Sequence, residues 1–259
     1  CKNRERASDN PQFSKKKDLM TFLELLKNLL ISYKTFFRLA WRTFFRSRDT
    51  QGRLTVRRLF IMSGFFPLLF VVQTVHWIGF ILDEILYRKY KTIEIRSPLF
   101  IVGVPRSGTT FLHRVLANDR EQFTTLSLWE LVLAPSVTER KFWLSLGWID
   151  KAMGAPAARG IRWLEKKLFG GLDNIHRISL SDPEEDYFAL VPVYACFIMI
   201  LPFPFADELG YLAFFDCCAS EADKNRILSF YKSCLQRHLY ARGTRKTILS
   251  KNVSFAPMI

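Results

Sequence analysis

The chain has 259 residues, 49% of them hydrophobic and 24% charged, a balance that excludes a disordered or fibrous protein. Its formal charge is +14, but residues 1–58 hold 15 Lys and Arg against 5 Asp and Glu, so the other 201 residues carry only +4. A nucleic-acid binder would show a basic face on its folded domain with base-reading motifs beside it. None is visible, and the basic front points to a membrane surface instead.

Cys1, Cys196, Cys217, Cys218 and Cys234 are odd in number and form no C-x-x-C pair, which argues against a zinc ribbon or a disulfide scaffold. Free thiols in a reducing compartment are expected. The chain begins at Cys1 rather than methionine and stops at Ile259 in mid-pattern, so both ends are expected to be cut from a longer product.

In chain order, residues 19–46 place apolar side chains at helical spacing, with Lys34, Arg38, Arg42 and Arg46 on one stripe. This basic amphipathic helix fits a segment lying in a membrane interface, and equally a helix packed on the domain with a solvated charged face. Residues 59–82 carry no acidic or basic side chain over 24 positions, enough to span a hydrocarbon core. Pro67, Gln73 and His76 fit a kinked, re-entrant or interfacial helix as well as a spanning one. The distance from the chain start argues against a secretory signal.

Residues 98–104, "PLFIVGV", read as a buried strand, and so do residues 246–253, "KTILSKNV". Residues 187–205 are apolar but broken by Pro192, Pro202 and Pro204. The preceding "SDPEED" reads as the opening of a soluble, buried helix, with Glu184, Glu185 and Asp186 as first-turn acids favoured by the helix dipole. Residues 220–243 read as a helix with Ser220 as cap, Asp223 three residues on and Gly243 as stop. The expected fold class is therefore α/β, a P-loop NTPase-like parallel sheet flanked by helices. A helical membrane-associating region, 1–96, precedes a P-loop domain, 97–259.

Between the first strand and the helix that follows it, Gly103 and Gly108 enclose four residues, the G-x-x-x-x-G outline of a phosphate loop. Backbone N–H groups at such a helix start, with the helix dipole, form an anion site. The lysine that a nucleotide triphosphatase places next is absent, and Thr109 and Thr110 follow instead, while positive charge sits inside the loop at Arg106. This arrangement suits a phosphosulfate, whose bridging oxygen gains charge during transfer.

"VPRSGTTFLH" at 104–113 resembles the loop P-[KR]-S-G-T-T of the sulfotransferase family, whose donor is 3'-phosphoadenosine-5'-phosphosulfate (PAPS). "LWELVLAPSVTERKFW", "HRISLSDPEEDYFAL" and "QRHLYARGTRKTILSKN" are similar to successive blocks of one branch of that family, so the resemblance covers about residues 97–255. Lys251-Asn252-Val253 departs from the family's usual Lys-Ser/Asn-Pro. The resemblance implies PAPS-dependent transfer of a sulfuryl group to a hydroxyl acceptor, with Arg106, Ser107, Gly108, Thr109 and Thr110 holding the 5'-phosphosulfate. It implies no metal. Arg106 would stabilise the leaving phosphate oxygen, and Lys251, at a strand end, matches a lysine near the transferring group.

A hydroxyl acceptor also needs a general base. The resemblance places Glu130 of "SLWEL" there, with His113 and His176 as rivals, and a solvated helix-start carboxylate as the plainer account of Glu130. The family's 3'-phosphate residues lie beyond the block ending in Lys251, so residues 1–259 alone are expected to bind PAPS weakly and turn over little. The acceptor stays open among lipid, sterol, glycolipid and carbohydrate. If residues 59–82 span, the catalytic domain is lumenal in a type II arrangement; if they only dip in, it is cytoplasmic. The alternatives are a P-loop kinase or hydrolase, and a membrane scaffold with an inactive sulfotransferase-like fold.

Overall fold

A computed structural model describes residues 11–48, 50–104, 107–169, 179–243 and 245–252. Two long helices come first. α1 (Pro11–Phe45) and α2 (Val56–Leu86) run in opposite directions, joined by ring contacts of Phe36 with Phe66 and Phe70 and of Tyr33 with Phe70. Thr55 caps α2 by accepting from Arg58 N at 3.2 Å, and Pro67 sits inside that helix. A 3-10 turn (Arg88–Thr92) leads to β1 (Leu99–Ile101), α3 (Thr109–Ala117), β2 (Phe123–Thr124) and α4 (Leu128–Val132).

A helical pair follows, α5 (Val137–Ala152) and α6 (Pro156–Phe169). Beyond it come 3-10 turns at Asp186–Val193 and Phe197–Ile200, then α7 (Ala206–Leu209), a further 3-10 turn (Gly210–Phe214) and α8 (Phe215–Cys218). α9 (Glu221–Arg242) and β3 (Thr247–Lys251) close the described chain. The ends of α9 follow from its sequence: Ser220 accepts from Asp223 N at 3.1 Å, and Gly243 stops it at φ 114°, where a side chain would strain the backbone.

The three strands are parallel in the order β1-β3-β2, with Leu99 opposite Leu249, Ile101 opposite Lys251 and Phe123 opposite Thr247. The fold is mixed α/β, a parallel sheet flanked by helices, as the strand and helix spacing implied. Central β3 is buried from Ile248 to Lys251, its apolar Ile248 and Leu249 leading into polar Ser250 and Lys251 at its end.

The single helix expected over 187–205 is instead two 3-10 turns. Pro192 supplies no backbone donor, Tyr194 takes a left-handed conformation at φ 55°, and Pro202 and Pro204 prevent the helix from resuming. The segment's burial is as expected: Leu190, Val193, Phe203 and Phe205 lie in the core, packed with Leu39 of α1, Phe66, Trp77 and Phe80 of α2, and Phe230 of α9. Among the described residues, Cys196, Cys217, Cys218 and Cys234 are free thiols.

Polar groups that weaken α2 as a spanning segment have partners on the body. His76 Nδ1 meets Glu139 at 2.6 Å, and Gln73 donates to Val191 O at 3.3 Å. Asp83 does most. Its carboxylate accepts from Val137 N at 2.9 Å, Thr138 N at 2.8 Å and Arg237 Nε at 2.9 Å, capping α5 while pairing with α9. Asp83 and Arg237 are both fully buried, so removal of either leaves an uncompensated charge.

On α1, Arg38 and Arg42 of the basic stripe also meet the body, while Lys34 and Arg46 are exposed. Arg42 forks onto Asp207 at 2.6 and 2.7 Å and reaches Glu208 at 2.6 Å, while Arg38 meets Glu208 at 2.8 Å.

Asp83→Ala is expected to lower the free energy of unfolding by about 3–5 kcal/mol in urea denaturation. Gly79→Ala, whose new methyl would stand 2.4 Å from Ser136 Oγ and 2.9 Å from Glu139 Oε2, should cost about 1–3 kcal/mol by forcing α2 from α5.

Candidate active site

Parallel pairing fixes where chemistry can occur. Ile101 and Lys251 lie side by side at the ends of β1 and β3, and Asn252 N extends the pairing by donating to Ile101 O at 3.1 Å. The C-terminal edge of a parallel sheet is where ligand groups gather. There β1 runs into the glycine-flanked loop, which turns directly into α3.

The described ends of the loop lie close together. Ser107 N donates to Val104 O at 3.2 Å, and a side chain on Gly103 would stand 3.0 Å from Thr109 Cγ2 and 3.1 Å from Ser107 Oγ. Gly108 takes φ 86° as the cap of α3, a conformation that L side chains resist. Leu112 N donates to Gly108 O at 3.1 Å, so the N–H groups of the preceding turn emerge at the helix end. Ser107 and Gly108 are exposed, and Thr109 and Thr110 half-buried. A loop of this form, at the N-terminus of a nine-residue helix, is a fit for an anion. Pro105 and Arg106 lie outside the described residues, as does His176.

The second wall comes from the acids of "SDPEED". Residues 180–184 run along the chain between β2 and α4: Trp129 N donates to Leu180 O at 2.9 Å, Glu184 N to Leu126 O at 3.0 Å, and Ser127 and Pro183 form an antiparallel bridge. This carries Glu185 to the end of β3, where its carboxylate pairs with Lys251 Nζ, a buried ammonium. Asp186 meets Ser250 Oγ at 2.9 Å and accepts from Tyr231 OH. Burial raises the Asp186 carboxyl to about 6 against the lowering effect of those hydroxyl bonds. Glu185 and Asp186, expected mainly to favour a helix start with room for a role in shaping the site, meet the sheet's C-terminal edge through contacts spanning more than sixty residues that no local pattern signals.

His113 faces the sheet from α3. Its Nε2 meets Thr125 Oγ1 at 2.8 Å, and burial, reinforced by the Lys251 charge, lowers its pKa to about 4. Histidine 113 is therefore neutral at pH 7, but weakly basic.

Glu130 sits in a different set of partners. Its carboxylate accepts from Ser127 N at 2.9 Å and Ser127 Oγ at 2.7 Å, and pairs with Arg242 at 2.9 Å and Arg140 at 3.5 Å. Burial alone would raise its pKa, yet Arg140, His238 and Arg242 together bring it to about 2. The "SLWE" tetrad is a capping box that closes α4, and its S-x-x-E spacing was the sequence signal for that task. A carboxylate near pKa 2, held by two guanidinium groups, is a poor proton acceptor at neutral pH. Among the described residues, no cluster of three or more His, Cys, Asp or Glu is arranged to hold a metal ion.

Residues 98–193 match the family model described as the sulfotransferase family. No curated protein sequence matches the chain. Among solved structures, the sulfotransferase STF1 from Mycobacterium tuberculosis superposes over 87% of this chain with a TM-score of 0.50 at 17% identity. This chain accounts for 55% of that protein's length, and the likeness is one of fold.

Because His113 and His238 are held below their ordinary 6.5, at about 4 and about 3, the unfolded chain binds their protons more readily. Their stabilising effect is complete above pH 6.5 and lost as pH falls. Unfolding free energy should drop by about 1.5 kcal/mol per histidine between pH 6.5 and 5. His113→Gln should flatten that limb of the profile measured by urea denaturation.

Proposed function

Since residues 98–193 match the sulfotransferase family model, we propose that this protein transfers a sulfuryl group from PAPS to a hydroxyl acceptor. The observation that carries the reading is the loop opening α3 beside the Lys251 end of β3. When bound, PAPS supplies an activated sulfur whose bond to a phosphate oxygen breaks as the acceptor oxygen attaches.

In this reading the N–H groups of Gly108 to Thr110, with the hydroxyls of Ser107, Thr109 and Thr110, hold the 5'-phosphosulfate. Arg106 and Lys251 offset the negative charge that develops on the leaving phosphate oxygen. Glu185 holds the Lys251 ammonium at the strand end, keeping its charge beside the loop. In this reading both cations are side chains.

Titration of the protein with PAPS is expected to show tighter binding than titration with ATP and Mg²⁺. Arg106→Ala and Lys251→Ala should each weaken PAPS binding by about tenfold or more, as loss of a charge-assisted contact predicts. Preference for ATP and Mg²⁺ would instead support a kinase or hydrolase. Full function in Arg106→Ala would support the scaffold.

Glu130 has two readings, because its capping box and arginine pairs favour a positioning task over that of base. Glu130→Gln should therefore lower the melting temperature while leaving the shape of the pH–rate profile unchanged. A loss of rate of about 100-fold or more with stability intact would restore the base.

Residues 1–96 are proposed as the membrane-associating region of this enzyme and 97–259 as its donor-binding domain. α2 has mean hydropathy 1.9 over its most apolar stretch and is the one described helix long and apolar enough to cross a membrane. Its outer stripe, Leu68, Val71, Val75 and Ile78, is exposed, while Gln73, His76 and Asp83 tie its other side to the body. A helix tied along its length supports an in-plane seat over a span, which keeps catalysis on the cytoplasmic side. An apolar acceptor, a lipid, sterol or glycolipid alcohol, suits that setting.

A further inference from the structure

The α5–α6 pair is rooted firmly and then leaves the body. Its root is held by Asp83 at the first N–H groups of α5, by the Ser136–Glu139 capping box and by buried Arg140. From Lys141 to Ile149 every residue is exposed, and nearly every described residue of α6 is too. The turn between the helices is nonetheless built. Asp150 Oδ1 accepts from Ala157 N at 2.7 Å and Oδ2 from Ala158 N at 3.0 Å, while Gly154 and Ala155 turn at φ 87° and 60°. This is an ordered arm.

Its side chains are unlike those of an exposed soluble helix. Phe142, Leu146 and Ile149 form a stripe at i, i+4, i+7 on α5, with Trp148 beside it at 74% exposure. α6 adds Ile161 and Trp163, the latter 63% exposed. An apolar face of this extent on a soluble surface marks an interaction site.

Charge identifies the partner. Residues 141–167 hold six Lys and Arg against Asp150 and Glu165, a net +4, which equals the whole net charge of residues 59–259. Asp150 is already engaged in the cap of α6. Lys151, Arg159, Arg162 and Lys167 are exposed among the apolar groups. Two copies of the arm would repel each other, whereas an acidic lipid surface attracts cations and accepts tryptophan at its headgroup boundary.

We infer that the α5–α6 arm is a second membrane contact, separate from residues 1–96, which inserts its aromatic face into an anionic lipid surface. The inference is independent of the transfer chemistry proposed above.

Hydrogen–deuterium exchange of residues 1–259 with vesicles gives a local test. Peptides within 142–164 should gain protection on vesicles of phosphatidylcholine with phosphatidylserine, and much less on phosphatidylcholine alone. Trp148→Ser with Trp163→Ser should weaken vesicle binding by about tenfold, and Arg159→Glu with Arg162→Glu should remove the dependence on phosphatidylserine. Vesicle binding with the arm unprotected would overturn the inference and leave α1 and α2 as the contact. So would equal protection on both vesicle types, or protection that rises with protein concentration in their absence, which would indicate a second copy.

Discussion

The fold turns on one buried carboxylate. Asp83, at the last turn of α2, accepts from the first N–H groups of α5 and from Arg237 of α9. Three elements far apart in the chain thus share one anion, and none can move without stranding a charge out of water. Arg237 in turn lies over the rings of Phe80 and Tyr90, so the same guanidinium ties the polar clamp to the apolar core. The hydrophobic front of the chain is therefore part of the body that carries the sheet.

That constraint also sets the sheet edge. With α9 fixed, β3 follows after a short connection and enters between β1 and β2, which sets Lys251 beside the strand that feeds the loop. With α2 fixed on the same body, its outer stripe becomes an exposed face of the protein. Glu185 and Asp186 complete the edge by a separate route, following the strand-like segment that pairs with Ser127.

Much of this is local enough to read from the sequence. Ser220, Asp223 and Gly243 delimit α9, and the loop between Gly103 and Gly108 declares itself by residue type. What escaped depended on distance or on competition between local signals. "SDPEED" followed by an apolar run satisfies every rule for a helix start, yet three prolines divide it into 3-10 turns and its acids serve the sheet edge. Glu130 resembles a catalytic glutamate by position, while Arg140 and Arg242, ten and 112 residues on, determine its ionisation. Gln73 and His76 read as flaws in a spanning helix until their partners on the 186–193 turn and α5 are in place.

The central claim is that the loop at 103–110 holds the 5' end of a phosphosulfate nucleotide. A crystal structure of the protein with 3'-phosphoadenosine 5'-phosphate bound tests it most directly. The account predicts the 5'-phosphate on the N–H groups of Gly108 to Thr110, with Lys251 Nζ turned toward it. A nucleotide bound elsewhere with the loop empty would contradict the account.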